Sequence, residues 1–149
     1  MFMETEIMNT INVNSLIQLA GIAQITLALG SVFIPKLLNW RAELLKPSLL
    51  IKQMFWTYAV YILVINTSFG LVSVFASHDL SNGSNLATML TGFIGVYWIS
   101  RLSTQFFYLD RRAFPKGRWY TIGETLLVSV FITLSTVYTF AFIYNLNRP

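Results

Sequence analysis

Two charged side chains stand where charge is costly. Arg101 and Glu124 interrupt long apolar runs of a 149-residue chain, and a charge inside a membrane-crossing segment costs roughly 2.5 to 3.5 kcal/mol on insertion scales. Such groups need a partner, a ligand or water, and three readings follow. The two form an ion pair that locks neighbouring helices together. Or Arg101 stretches to the headgroups while Glu124 lies in the wet interface. Or the pair is a working site, in which Glu124 titrates or Arg101 receives an anionic headgroup or substrate. Tyr97, Trp98 and Gln105 sit within four residues of Arg101 and belong to the same candidate ligand or ion-pair site, the aromatics either through a cation–π contact or as core packing.

A second polar layer is uncharged. Gln24 and Asn66 lie near the middle of apolar runs, at depths that permit a Gln24–Asn66 hydrogen bond worth on the order of 0.6 to 2 kcal/mol. Interhelical glue is one reading of this midplane layer; a polar permeation or ligand site is the other. Gly70, Ser73 and Ser77 continue the Asn66 stripe on a helix, and Thr88, Gly92 and Gly95 make a small-residue packing face. Toward the carboxyl end, Thr125, Ser129, Thr133 and Thr136 share one side, while Val128, Phe131, Ser135, Tyr138 and Phe142 continue the side of Glu124. Hydroxyls in apolar helices usually bond to their own backbone or to a neighbouring helix; a water-lined path is the alternative.

Other chemistries are excluded by composition. The chain has no cysteine, which removes disulfides, thiolate metal sites, iron–sulfur clusters and thiol nucleophiles. A single histidine, His78, cannot supply a bis-histidine haem site within one chain. There is no glycine-rich phosphate loop, His-Glu-x-x-His, Gly-x-Ser-x-Gly or carboxylate cluster for a pair of metals. No cofactor and no metal are expected, and catalysis is the disfavoured reading. An intramembrane enzyme would need Glu124, His78 or Asp79 as acid or base, and the topology derived next puts His78 and Asp79 on the opposite membrane side from Glu124.

The elements that hold these residues follow from where charge is missing. Hydrophobic residues make up 55% of the chain and charged ones only 11%, against about 25% charged in a soluble domain. Ordinary soluble folds and disordered tails are both excluded. The charge-poor tracts cover 7–35, 54–100 and 119–147. About 20 apolar residues cross a hydrocarbon core of roughly 30 Å, so the outer tracts hold one crossing each and the middle tract two, divided at the polar stretch 77–85 with its Asn82-Gly83 turn signal. The expected fold is an all-α integral membrane protein, one four-transmembrane-helix bundle with helices at about 12–34, 54–77, 86–109 and 120–144.

The bases orient it. Lys36, Arg41, Lys46 and Lys52 lie in the first connection and Arg111, Arg112, Lys116 and Arg118 in the third, with Arg101 approaching that side and Arg148 alone opposite. The positive-inside bias then makes both basic connections cytoplasmic and puts both termini outside. Lys36, Arg41, Arg111, Arg112, Lys116 and Arg118 are candidates for contact with anionic headgroups, and nucleic acid is not needed to explain them. Between Pro35 and Lys52, Leu37, Leu38, Trp40, Leu44 and Leu45 share one stripe opposite Lys36, Asn39, Arg41, Glu43 and Lys46. This pattern predicts a short interfacial helix in the first cytoplasmic connection; two overlong transmembrane helices meeting at Pro47 are the alternative. A cleaved leader is not expected, because 1–15 carries Glu4 and Glu6 and no base. The expected location is a bacterial inner (plasma) membrane, as a multi-pass protein.

Two functions remain. A non-catalytic subunit or adaptor would bind a protein partner, a second copy of the chain or membrane lipids through its surface. An oligomeric transporter or channel for a small solute or ion would instead use Glu124 and Arg101 with the Gln24 and Asn66 layer.

Overall fold

The computed structural model describes residues 12–109 and 117–148. Arg111, Arg112 and Lys116, three of the six expected headgroup contacts, lie outside these residues, as do Glu4 and Glu6. The described elements are all helical. Helix α1 (Val13–Ser31) opens at Asn12, whose side-chain oxygen accepts from the Ser15 amide at 3.3 Å and so satisfies one of the donors a helix start leaves open. Two single turns follow, α2 (Ile34–Leu37) and α3 (Trp40–Glu43), then the 27-residue α4 (Leu49–Phe75). A 3₁₀ turn at Asp79–Ser81 leads to α5 (Asn85–Ser103), capped by Ser84. A π turn at Thr104–Tyr108 extends α5, and α6 (Arg118–Leu146) is the last helix.

The first connection departs from the continuous interfacial helix expected from its leucine stripe. Asn39 takes a left-handed conformation, φ 49°, which asparagine tolerates better than most residues because its short polar side chain bonds locally. That break divides the stripe. Leu44 is buried while Leu37 and Leu45 are exposed, and Trp40 turns onto the start of α4, with ring centroids 4.9 Å from Phe55 and 6.3 Å from Trp56. Helix α4 itself begins at Leu49 rather than near 54, directly after Pro47-Ser48, and so takes Lys52 into its first turns. The helix expected to run to 109 loses α geometry at Thr104.

Among the described residues, three helices are long and apolar enough to cross a membrane: α1, α4 and α6, with mean hydropathies of 1.4, 1.8 and 2.1. Helix α5 has 19 residues, but Asn85, Ser100, Arg101 and Ser103 dilute its apolar content below that of the other three.

Close contacts are built on glycine. A β-carbon on Gly21 of α1 would lie 2.8 Å from the Gly70 carbonyl oxygen of α4 and 2.8 Å from the Ser73 β-carbon, so the two backbones meet where neither has a side chain. On α5, a β-carbon at Gly92 would lie 2.8 Å from the Phe142 ring of α6, and Gly95 faces the Thr139 backbone. These pairings make α1–α4 and α5–α6 antiparallel. The main core joins them through Ala20, Ile94, Trp98, Phe131, Leu134 and Tyr138. A smaller cluster of Val13, Ile17, Leu80 and Ala141 brings the start of α1, the α4–α5 connection and the end of α6 to one end of the molecule.

Candidate functional site

Tyr138 is fully buried on α6. Gln24 of α1 donates its side-chain amide to the Tyr138 hydroxyl, and Ser73 Oγ of α4 lies 2.5 Å from the same oxygen. One hydroxyl thus joins three helices. Gln24 and Ser73 are also fully buried, and an amide or hydroxyl left unbonded in such a place costs about 1 to 3 kcal/mol. Tyr138 therefore satisfies the Gln24 Nε2 group and the Ser73 hydroxyl, while Gln24 Oε1 has no hydrogen-bond partner among the described residues.

Asn66 has a different tyrosine. Tyr97 of α5 donates to Asn66 Oδ1 of α4 at 2.8 Å, and Phe69 stacks edge-to-face on the Tyr97 ring at 5.3 Å. The expected Gln24–Asn66 bond is thus replaced by two separate links, Gln24–Tyr138 and Asn66–Tyr97. Both residues do face inward, and so does their stripe: Asn66, Gly70, Ser73 and Ser77 are all buried. The opposite row behaves in the opposite way. Thr125, Ser129, Thr133 and Thr136 are exposed, and each hydroxyl donates to the carbonyl four residues earlier. That row presents satisfied hydroxyls outward and lines no path between helices.

Arg101 is half-buried and lies against Phe131, with its guanidinium carbon 5.7 Å from the ring centroid. Trp98 is fully buried beside it, 5.4 Å from the same ring. Tyr97 and Trp98 contact each other edge-to-face at 5.3 Å. Among the described residues neither Trp98 Nε1 nor Arg101 Nε has a hydrogen-bond partner. The structure thus brings Tyr97, Trp98 and Arg101 together around Phe131. Glu124 is elsewhere. It is seven residues from Phe131 on α6, roughly 10 Å along the axis. Continued along the helices, the Gly92–Phe142 and Gly95–Thr139 pairings set Arg101 level with Phe131 and Thr133 rather than with Glu124. Gln105 is buried in that π turn. Of the candidate basic contacts, Lys36, Arg41 and Arg118 are exposed.

A third node is one that pattern reading passed over. Asn145 on α6, only 1% exposed, donates to the Leu80 carbonyl at 2.8 Å and accepts from the Gly83 amide at 3.1 Å. It thereby binds both sides of the α4–α5 connection. Gly83 has φ +77°, and a β-carbon there would also press on Arg148 at 2.8 Å. Arg148 stacks on the Tyr144 ring at 4.6 Å. The signal was present: Asn145 continues the Tyr138 and Ala141 face of the helix at helical spacing.

No family model, curated protein or solved structure matches this chain. What it does must be read from the geometry. Among the described residues, no group of three His, Asp or Glu side chains is placed to hold a metal. The strongest interior feature is the set of interhelical hydrogen bonds, and its chemistry is that of fastening.

Proposed function

We propose that the chain is a four-crossing integral membrane protein that acts as a non-catalytic subunit or adaptor. In this reading α5 is the fourth crossing, the end holding Val13, Leu80 and Asn145 is outside, and the basic end is cytoplasmic. At 1.5 Å per residue α5 is about 28 Å long, close to the hydrocarbon thickness, and it lies antiparallel along α6. The observation that carries the functional part is the use of the midplane polar groups. Gln24, Ser73 and Asn66 bond to Tyr138 and Tyr97 across helices, which leaves recognition to the outer surface. Helix α4 offers the broadest such surface. Only 17% of its apolar window is buried, and Tyr58, Tyr61, Val64 and Ile65 are exposed along it.

Photo-crosslinking in native membranes tests this. A photoreactive residue at Val64 or Ile65 should give a discrete protein adduct, whereas one at Thr133 on α6 should label only lipid. Lipid labelling alone at all three positions would overturn the adaptor.

A second reading, transport, is favoured by one observation, the buried Arg101 Nε without a hydrogen-bond partner among the described residues. It requires solute flux in reconstituted vesicles that Arg101→Gln removes; equal flux in the variant would end it.

A further inference from the structure

The basic end of α4 carries a groove that continues down the helix. Its mouth has a volume of about 410 Å³ and is lined by Arg41, Leu44, Leu45, Lys52 and Trp56. Its lower part, about 380 Å³, is lined by Trp56, Thr57, Val60 and Tyr61. Both parts are open to the surroundings, and Trp56 belongs to both, so they adjoin along the outer face of α4. We infer that this groove binds a single anionic phospholipid, its phosphate held between Arg41 and Lys52 and one acyl chain lying on Trp56, Val60 and Tyr61.

The two parts differ as the two parts of a lipid do. Lys52, Trp56 and Val60 form one ridge of residues four apart, and Gln53, Thr57 and Tyr61 the next; the furrow between such ridges runs near the helix axis. From Lys52 to Tyr61 the helix rises about 13 Å, close to the depth of one hydrocarbon leaflet, about half of the roughly 30 Å core. Of the four residues that line this lower part, Thr57 and Tyr61 carry hydroxyls, and Thr57 donates to the Gln53 carbonyl at 2.9 Å, so an acyl chain there leaves no threonine hydrogen bond unmade.

The mouth is suited to a phosphodiester. A guanidinium offers two parallel N–H donors to the non-bridging oxygens, and an ammonium adds a point charge. Arg41 and Lys52 line the mouth, and Glu43 is the only acid in the connection, so the site favours an anion over a zwitterion. The wall is stiff. Trp40, Phe55 and Trp56 meet edge-to-face, with Phe55 and Trp56 centroids 6.1 Å apart, and the break at Asn39 is what lets Trp40 reach them. The inference rests on the membrane-spanning part of the proposed function and not on the protein partner.

Native mass spectrometry of the full chain released from micelles titrated with phosphatidylglycerol tests it. One lipid should bind saturably, phosphatidylcholine should not, and inorganic phosphate should not compete. Replacing both groove cations, Arg41→Gln with Lys52→Gln, should weaken retention by about thirtyfold. Removing the same charge outside the groove, Lys36→Gln with Lys46→Gln, should leave it within about threefold, since separated surface charges are screened. Val60→Trp, which fills the lower groove and spares every charge, should also abolish retention. Equal loss in the two double variants, equal binding of phosphatidylcholine, or competition by phosphate would each overturn the site. Alkaline extraction of the same protein from vesicles separates the two claims. Release would undo the spanning reading, whereas a retained chain indifferent to phosphatidylglycerol would undo this site alone.

Discussion

At Tyr138 one oxygen fastens three helices, and the consequences of losing it are specific. Tyr138→Phe keeps the ring in the core but strands Gln24 and Ser73, fully buried, without their partner. The expected cost is about 1 to 3 kcal/mol, read as earlier unfolding in mixed micelles. Ser73→Ala should then cost much less in the Tyr138→Phe background than alone, because the bond it removes is already gone; strict additivity would show that the two hydroxyls do not cooperate. Arg101 and Glu124 should behave in the reverse way. Arg101 lies against Phe131, seven residues from Glu124 on α6, so Arg101→Ala and Glu124→Ala should add to within about 0.5 kcal/mol. A larger coupling would mean that the pair touches. Asn145→Ala should accelerate hydrogen exchange at the Gly83 amide, which loses this side-chain acceptor; unchanged protection would remove the loop clamp.

The elements are set by small residues as much as by large ones. Gly21 sits where any β-carbon meets Gly70, Ser73 and Val74 at under 3 Å, so Gly21→Ala must push α1 from α4, at about 1 to 3 kcal/mol. Gly123 of α6 has nothing within 4 Å of its would-be β-carbon. Gly123→Ala should therefore stabilise by about 0.4 to 1 kcal/mol, through helix propensity and reduced freedom of the unfolded chain. Comparable losses from both substitutions, in the same unfolding assay, would contradict the close approach. Asn39 acts at the same scale. Its left-handed φ turns one expected helix into two turns and allows α3 to fold back on α4.

For the molecule as a whole, the pairings place Val13, the 76–84 connection and Asn145 at one end, and the first connection and the π turn at the other. This end-to-end arrangement yields a clean labelling test, because the chain has no cysteine of its own. Single cysteines at Asn82 and Asn147 should react with a membrane-impermeant maleimide from the same side of intact cells, and one at Lys46 only after permeabilisation. Labelling of Asn82 and Asn147 from opposite sides would remove α5 as a crossing. That helix carries the most weight, since α1, α4 and α6 are apolar enough by themselves and α5 depends on its contact with α6.

Part of this is legible in the sequence. Charge spacing places a long helix in each of four apolar stretches, since hydrocarbon excludes charge and a helix has a fixed rise, but α4 starts at Leu49 instead of near 54 and α5 ends at Ser103 instead of near 109. Helical periodicity turned Asn66, Gly70, Ser73 and Ser77 inward for the same reason that it turned Thr125 and Thr133 out. Partners were another matter. Gln24 and Asn66 match in depth, yet Tyr138 and Tyr97 take them, because hydrogen bonding depends on rotation about each helix axis and on which helices are neighbours. Register likewise separates Arg101 from Glu124, and a single left-handed residue breaks the leucine stripe at Asn39. Composition and period act on each segment alone and so are written in order along the chain. Pairing and register arise between segments, and only the folded packing of α1, α4, α5 and α6 decides them; the groove beside Trp56 likewise needs the first connection to fold back on α4.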